Sequence, residues 1–318
     1  MSLNPEQLKE HCEIILKFRP EIQNRIVVLC EGKIPEIQGR KSPQSYKAMK
    51  YTHDAKFYKD CIPTWWTQKR PEFFNCGDRK DVIDTYFTLL TLHEHDTTNS
   101  YLDPDRLFAM IDLDLQLQEI DNYSFPDTEA IFCNLYEKSQ VKTQNAAQHR
   151  IWITGLIHKE AYFITPELQS IFDDYPNSPM YQDNPVQLNS IYMDMADKIS
   201  SDPDLKNNLN IRRALDRVNH CSELDCTELD IGKFQDSWKH QFQNTTDATQ
   251  KYELILALLT IKKAKNYWKQ IKPPGDWSGD EKNFREQLLS EICGFYSRQS
   301  SDVNCHIPFF FKVLHECV

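Results

Sequence analysis

Three acidic residues in the first half of the chain stand where apolar runs give way to polar sequence. Glu31 closes Val27-Val-Leu-Cys30, and Asp112 and Asp114 close Phe108-Ala-Met-Ile111. Carboxylates gathered from such ends repel one another unless a cation lies among them. Their hard oxygens favour Mg²⁺ or Mn²⁺ over zinc. Glycine follows the glutamate (Gly32) and also the intervening run Glu72-Phe-Phe-Asn-Cys76 (Gly77), where the missing Cβ lets backbone come close to a ligand. With Lys33, these glycines are the substrate-binding candidates. Glu160 is a fourth carboxylate candidate, and Lys159 beside it a candidate cation to offset negative charge developing in a reaction.

These residues share a crevice only if their runs are neighbouring strands of one parallel sheet, whose carboxyl ends converge. The runs read that way. Arg25-Ile-Val-Val-Leu-Cys30, 72–76 and 106–111 are short, apolar and rich in β-branched or aromatic residues, as strands buried on both faces are. Further strands are expected at 130–133 and at 150–154, the latter running on through 156–163. Helices are expected at 5–18, near 54–60, and at 79–92 behind the N-cap Asp78. Alternating strands and helices imply βαβ units with right-handed crossovers, an α/β fold with a mostly parallel sheet. Tyr175-Pro-Asn-Ser-Pro179 reads as a linker. Beyond it only helical periodicity is seen, near 185–199, 204–219, 229–243, 247–270, 280–298 and 308–316. The expected division is an N-terminal helix over 1–21, an α/β domain over 22–175 with an insertion at 33–70, and an all-α domain over 180–318.

The order of motifs resembles the TOPRIM domain, the metal-binding module of topoisomerases, bacterial primases, small ribonucleases and OLD-family nucleases. That family has an apolar strand ending in Glu-Gly, here Glu31-Gly32, and a later one ending in Asp-x-Asp, here Asp112-Leu-Asp114. Between them, Phe73-Phe-Asn-Cys-Gly77-Asp-Arg-Lys-Asp-Val82 is similar to its second strand and helix start. The likeness covers roughly residues 22–165, about half the chain. It implies a TOPRIM-like, Rossmann-like sheet flanked by helices, with Glu31 as metal ligand or general acid/base and Asp112 and Asp114 as metal ligands. The activity implied is that of a Mg²⁺- or Mn²⁺-dependent nuclease, a hydrolase of nucleic acid. Many relatives carry another acidic residue a few positions after Glu-Gly; Glu36 is the nearest here, and the 33–70 insertion lengthens the spacing. Two other readings stay open: a catalytically silent TOPRIM-like interaction module of a defence or repair complex, and a small-nucleotide sensor.

Composition narrows the setting. The net charge of −10 argues against a non-specific nucleic-acid coat. Two local basic strips leave nucleic acid open as a partner: Lys41, Lys47, Lys50, Lys56 and Lys59 with Lys69 and Arg70, and Lys262, Lys263, Lys265, Lys269 and Lys272 with Tyr267 and Trp268 between. A protein partner or homo-oligomer is equally open. No run is apolar for the ~20 residues that span a bilayer, and the N-terminus lacks a secretory pattern. A cytoplasmic protein without a membrane partner is expected. The ten cysteines are unpatterned, as in a reducing compartment. Cys30, Cys76 and Cys133 are expected as buried small hydrophobes, and His220-Cys221-x4-Cys226 does not space like a zinc knuckle. His93 and His95 read as a solvated helix end, and Trp65-Trp66 and Phe309-Phe310-Phe311 as core or partner surface. No GxxxxGK[ST], GxGxxG or GxSxG occurs, which disfavours P-loop, dinucleotide-binding and serine-hydrolase chemistry.

Overall fold

A computed structural model describes residues 2–34, 53–175 and 178–317. Four strands form a parallel sheet: β1 (Val27–Cys30), β2 (Glu72–Asn75), β3 (Leu107–Ile111) and β4 (Ile151–Ile153), in the order β2-β1-β3-β4. Val27 registers with Glu72 on one side and Leu107 on the other, and Ala109 with Ile151. Every residue of these strands is buried, as expected of a sheet covered on both faces. The central strands are β1 and β3, so Glu31 and Asp112 leave the sheet side by side.

Helix α1 (Pro5–Lys17) starts at a capping box made by Asn4 and Gln7. α2 (His53–Asp60) packs beside β2. α3 (Arg79–His95) is capped by Asp78, whose side chain accepts the Asp81 N–H. It buries Val82, Ile83, Tyr86 and Leu89 against β1, β3 and α1.

Two expected strand segments fold differently. Residues 130–133 belong to helix α4 (Thr128–Leu135). Asp127 accepts the Ala130 N–H at 2.8 Å, and Ile131, Phe132 and Leu135 share the buried side. A short apolar run suits either state, and here the cap decides. Cys133 consequently lies on the exposed side of α4 instead of in the core. The last strand also stops at Ile153. Thr154 accepts the Leu113 N–H at 2.8 Å and donates to the Leu156 carbonyl at 2.7 Å, which turns the chain, and 159–163 is a 3-10 turn.

The second half is helical: α5 (Leu188–Asp197), α6 (Asn208–Val218), α7 (Ile231–Asn244), α8 (Ala248–Ile261), α9 (Glu281–Arg298) and α10 (His306–His315). The helix expected over 247–270 breaks after Ile261 and resumes briefly at Lys265–Trp268. A small hairpin pairs Met180–Tyr181 with Asn184–Pro185, where no strand was expected. Pro176 and Asn177, in the expected linker, lie outside the described residues. The last two helices return to the first half. Tyr296 meets Phe57 with ring centroids 6.5 Å apart, Phe310 meets Trp152 at 5.2 Å, and Phe311 meets Phe73 at 6.1 Å. The phenylalanine triplet is core, and one continuous buried cluster runs from Cys12 to Leu314. Among the described residues no helix is long and apolar enough to cross a membrane.

Candidate active site

The carboxyl end of the sheet is built by strand exits. Gly32 and Gly77 bridge each other, each N–H donating to the other's carbonyl at 2.8 and 2.9 Å. Their φ angles, +150° and +96°, are ones that side chains rarely adopt. A Cβ on Gly32 would lie 2.6 Å from the Asp54 carboxylate and 2.7 Å from Asn75. These glycines, expected to let backbone come close to a ligand, close two strand ends upon each other. Lys33 follows with an exposed side chain, while its carbonyl faces the Asn75 amide at 3.5 Å.

Glu31 and Asp112 meet directly. Glu31 Oε1 accepts the Asp112 N–H at 2.9 Å. The Asp112 carboxylate lies 3.2 Å from His158 Nδ1. Asp114 accepts the Leu115 N–H at 2.6 Å, which fixes its side chain against its own loop. Arg79, first residue of α3, reaches both acidic segments: its guanidinium is 3.0 Å from Asp114 Oδ2 and 3.7 Å from Glu31 Oε1. Its Nη1 donates to the Gln116 carbonyl at 2.6 Å, while among the described residues its buried Nε has no hydrogen-bond partner. Lys263, in the break after α8, stands 3.5 Å from Asp114 and 2.7 Å from Asp204.

The helical half also grips this loop by its backbone. Arg213 donates to the Leu115 carbonyl at 2.8 Å and Arg217 to the Asp114 carbonyl at 2.7 Å. Arg217 is buried and held by both carboxylate oxygens of Glu129. The second basic strip thus does not form one surface. Lys262 is buried on Asp202, Lys263 faces the acidic crevice, and Tyr267 and Trp268 are buried. In the first strip, Lys56 pairs with Asp60 and Lys59 lies 4.0 Å from Glu72, whereas Lys41, Lys47 and Lys50 fall outside the described residues.

Of the remaining candidates, Lys159 forms an ion pair with Asp54, the acidic residue at the start of α2. Asn75 anchors that start by accepting the Ala55 N–H at 2.9 Å. Glu160 is buried with Oε1 3.9 Å from Lys265, next to Lys159 rather than against the Glu31 and Asp112 pair. Glu36 lies outside the described residues. Asp54, Arg79, His158 and the two clamping arginines are the residues that sequence reasoning missed, and Lys263, named only within the second basic strip, faces the acids. Arg79 carried a signal, since it directly follows the glycine-ended second strand and its cap. Asp54 carried one too, as an acidic residue opening a helix where the insertion rejoins the fold.

Electrostatics follow from this packing. Burial, then the nearby Asp112 charge, pushes the Glu31 carboxyl up to about 7, with Arg79 opposing. Burial alone would lower His158, but its bond to Asp112 outweighs this and holds the imidazole above its usual value. Burial would raise Asp114, and Lys263 and Arg79 together overcome it and hold the carboxyl low. Burial lowers the Lys159 ammonium. Shifts of this kind occur both at chemical sites and in structural ion-pair networks.

No family model, curated protein or solved structure matches the chain.

The raised Glu31 gives a stability prediction. The folded protein keeps that proton up to about pH 7, whereas an ordinary glutamate releases it near 4.5. Between those values the folded state binds more protons, so stability falls as pH rises through the window. Glu31→Gln removes the penalty. The variant should match wild type near pH 5 and exceed it by about 2 kcal/mol near pH 8. Urea unfolding at the two pH values checks this, and parallel behaviour of the two proteins would contradict it.

Proposed function

We propose that this crevice carries out divalent-cation-dependent phosphodiester hydrolysis on nucleic acid. The observation that carries the reading is the direct joining of two strand ends, Glu31 accepting the Asp112 N–H, with Asp114 drawn in through the same arginine. The donor chemistry fits a hard cation: carboxylate oxygens, each from a rigid strand exit. Arg79 fills part of this space with positive charge, yet its Nε, 3.7 Å from Glu31, has no hydrogen-bond acceptor among the described residues, so it is an imperfect occupant. Among the described residues no three acidic, histidine or cysteine side chains are already arranged around one point, so loading would require Arg79 to yield.

Glu31, Asp112 and Asp114 would hold Mg²⁺ or Mn²⁺, which when bound polarises the phosphodiester and activates the attacking oxygen. Glu31, whose carboxylate the cation would keep ionised, would take the proton of the attacking water. His158, held by Asp112, would return a proton to the leaving oxygen. Arg79, released from the carboxylates, and Lys263 would donate to the non-bridging phosphate oxygens.

Arg79 also favours a second reading, the silent interaction module, in which its guanidinium serves as the permanent counter-ion of the acidic group. Titration with Mn²⁺ followed by electron paramagnetic resonance separates the two. If the site is a cation site, wild type binds Mn²⁺ and Arg79→Ala binds it about tenfold more tightly, because a competing cation is gone. Absence of binding by wild type with binding by the variant supports the silent module. Absence of binding by both overturns the metal reading.

A further inference from the structure

Beside the crevice, across the Asp54–Lys159 pair, lies a cavity of about 480 Å³. Its size falls in the range of small-molecule sites. The inner wall is apolar: Phe163 and Trp268 meet edge to face with ring centroids 5.1 Å apart, and Leu289 of α9 closes one side. The rim is charged and largely self-compensated. Arg285 is 3.2 Å from Glu281, Lys282 is 3.7 Å from Glu286, and Lys265 is 3.9 Å from Glu160. Lys269 is the exception, an exposed cation on the cavity with no acidic partner among the described residues.

We infer that this cavity receives one nucleotide of the substrate strand, next to the phosphate to be cleaved. The inference rests on the phosphodiester reading of the neighbouring crevice and names what that crevice holds beside it. Three features point to a nucleotide. An aromatic and aliphatic wall suits the flat face and edge of a base, contacts that tolerate any sequence. The rim carboxylates and ammonium groups match the amino and carbonyl groups of a base and the hydroxyls of a sugar. Lys269, without an acidic partner among the described residues, suits a phosphate that flanks a nucleotide. An acidic peptide would satisfy Lys269 but would leave the aromatic wall unused.

The experiment uses the full chain without added metal. Adenosine and thymidine 5′-monophosphates, inorganic phosphate and an acidic peptide are titrated by calorimetry into wild type, Lys269→Glu and Leu289→Trp. The first variant reverses the free charge on the surface, and the second fills the cavity. Circular dichroism confirms that each folds. Both nucleotides should bind wild type with similar affinity and more tightly than phosphate, and each variant should weaken them about tenfold or more. Nucleotide binding that is absent, unchanged in both variants, or no tighter than phosphate overturns the inference, as does tighter binding of the peptide. Metal-dependent cleavage of single-stranded DNA and RNA is measured in parallel on the same three proteins. Cleavage by wild type without nucleotide binding leaves the crevice reading standing and removes this one. Nucleotide binding without cleavage keeps the cavity as a nucleotide site but removes the crevice reading and, with it, the substrate-strand role.

Discussion

Asp112→Asn should reduce Mg²⁺-dependent cleavage of nucleic acid at least about a thousandfold, equivalent to roughly 4 kcal/mol of lost transition-state stabilisation. The substitution keeps the shape of the side chain and removes its charge. Asp112 joins two parts of the site: its backbone N–H is bonded to Glu31, its carboxylate holds His158, and it is largely buried. Asparagine would weaken the hold on a hard cation and would deprive His158 of the contact that keeps its imidazole above its usual value. Loss of charge next to Glu31 should also bring the Glu31 carboxyl down, since Asp112 is the second cause of its rise after burial. The checks are the rate of cleavage of a labelled oligonucleotide and Mn²⁺ affinity on the same preparation. Cleavage within tenfold of wild type would defeat the proposal, because about 1.4 kcal/mol is too little for a primary ligand.

The largest effect on stability should come from a residue far along the chain. Arg217→Ala is expected to destabilise the fold by about 3–5 kcal/mol, the cost typical of removing one partner from a buried ion pair. The Arg217 side chain is only 1% exposed. It is held by both oxygens of Glu129, donates to the Asp114 carbonyl, and lies over the Phe132 ring at 5.4 Å. Deletion leaves a carboxylate without its cation and a carbonyl without its donor, and opens space beside an aromatic ring. Arg217→Lys should recover only part of the loss, since an ammonium cannot span the two carboxylate oxygens and the carbonyl in one plane. Urea denaturation gives the midpoint. A change below about 1 kcal/mol for the alanine variant, the range of exposed pairs, would show that the clamp contributes little.

The sheet was legible because its strands are buried on both faces and read as unbroken apolar runs: 27–30, 72–75 and 107–111 fold where expected. The same logic failed at 130–133, where a run of that kind sits behind a helix cap. Glu31 and Asp112 were found as neighbours because strand ends converge by topology alone. Their counter-ions were not. Arg79 acts from a helix start, Lys263 from a break between helices, and Arg213 and Arg217 from the helical half, so no local pattern ties them to the acids. Asp54 was hidden by the insertion, which separates it from Glu31 in sequence while α2 sets it beside Gly32. The two basic strips misled for a related reason, since closeness in sequence said nothing about which lysines turn inward to pair.

The placing of α10 bears on how the molecule is made. Phe310 and Phe311 lean on Trp152 and Phe73, residues of the sheet that leave the ribosome far earlier. Until α10 arrives, those aromatic surfaces lack a cover, and contacts so distant along the chain form late and slowly. A nascent chain halted after β4 would therefore expose sticky aromatic surface and tend to aggregate or recruit chaperones, and its acidic crevice would still be without Arg213 and Arg217.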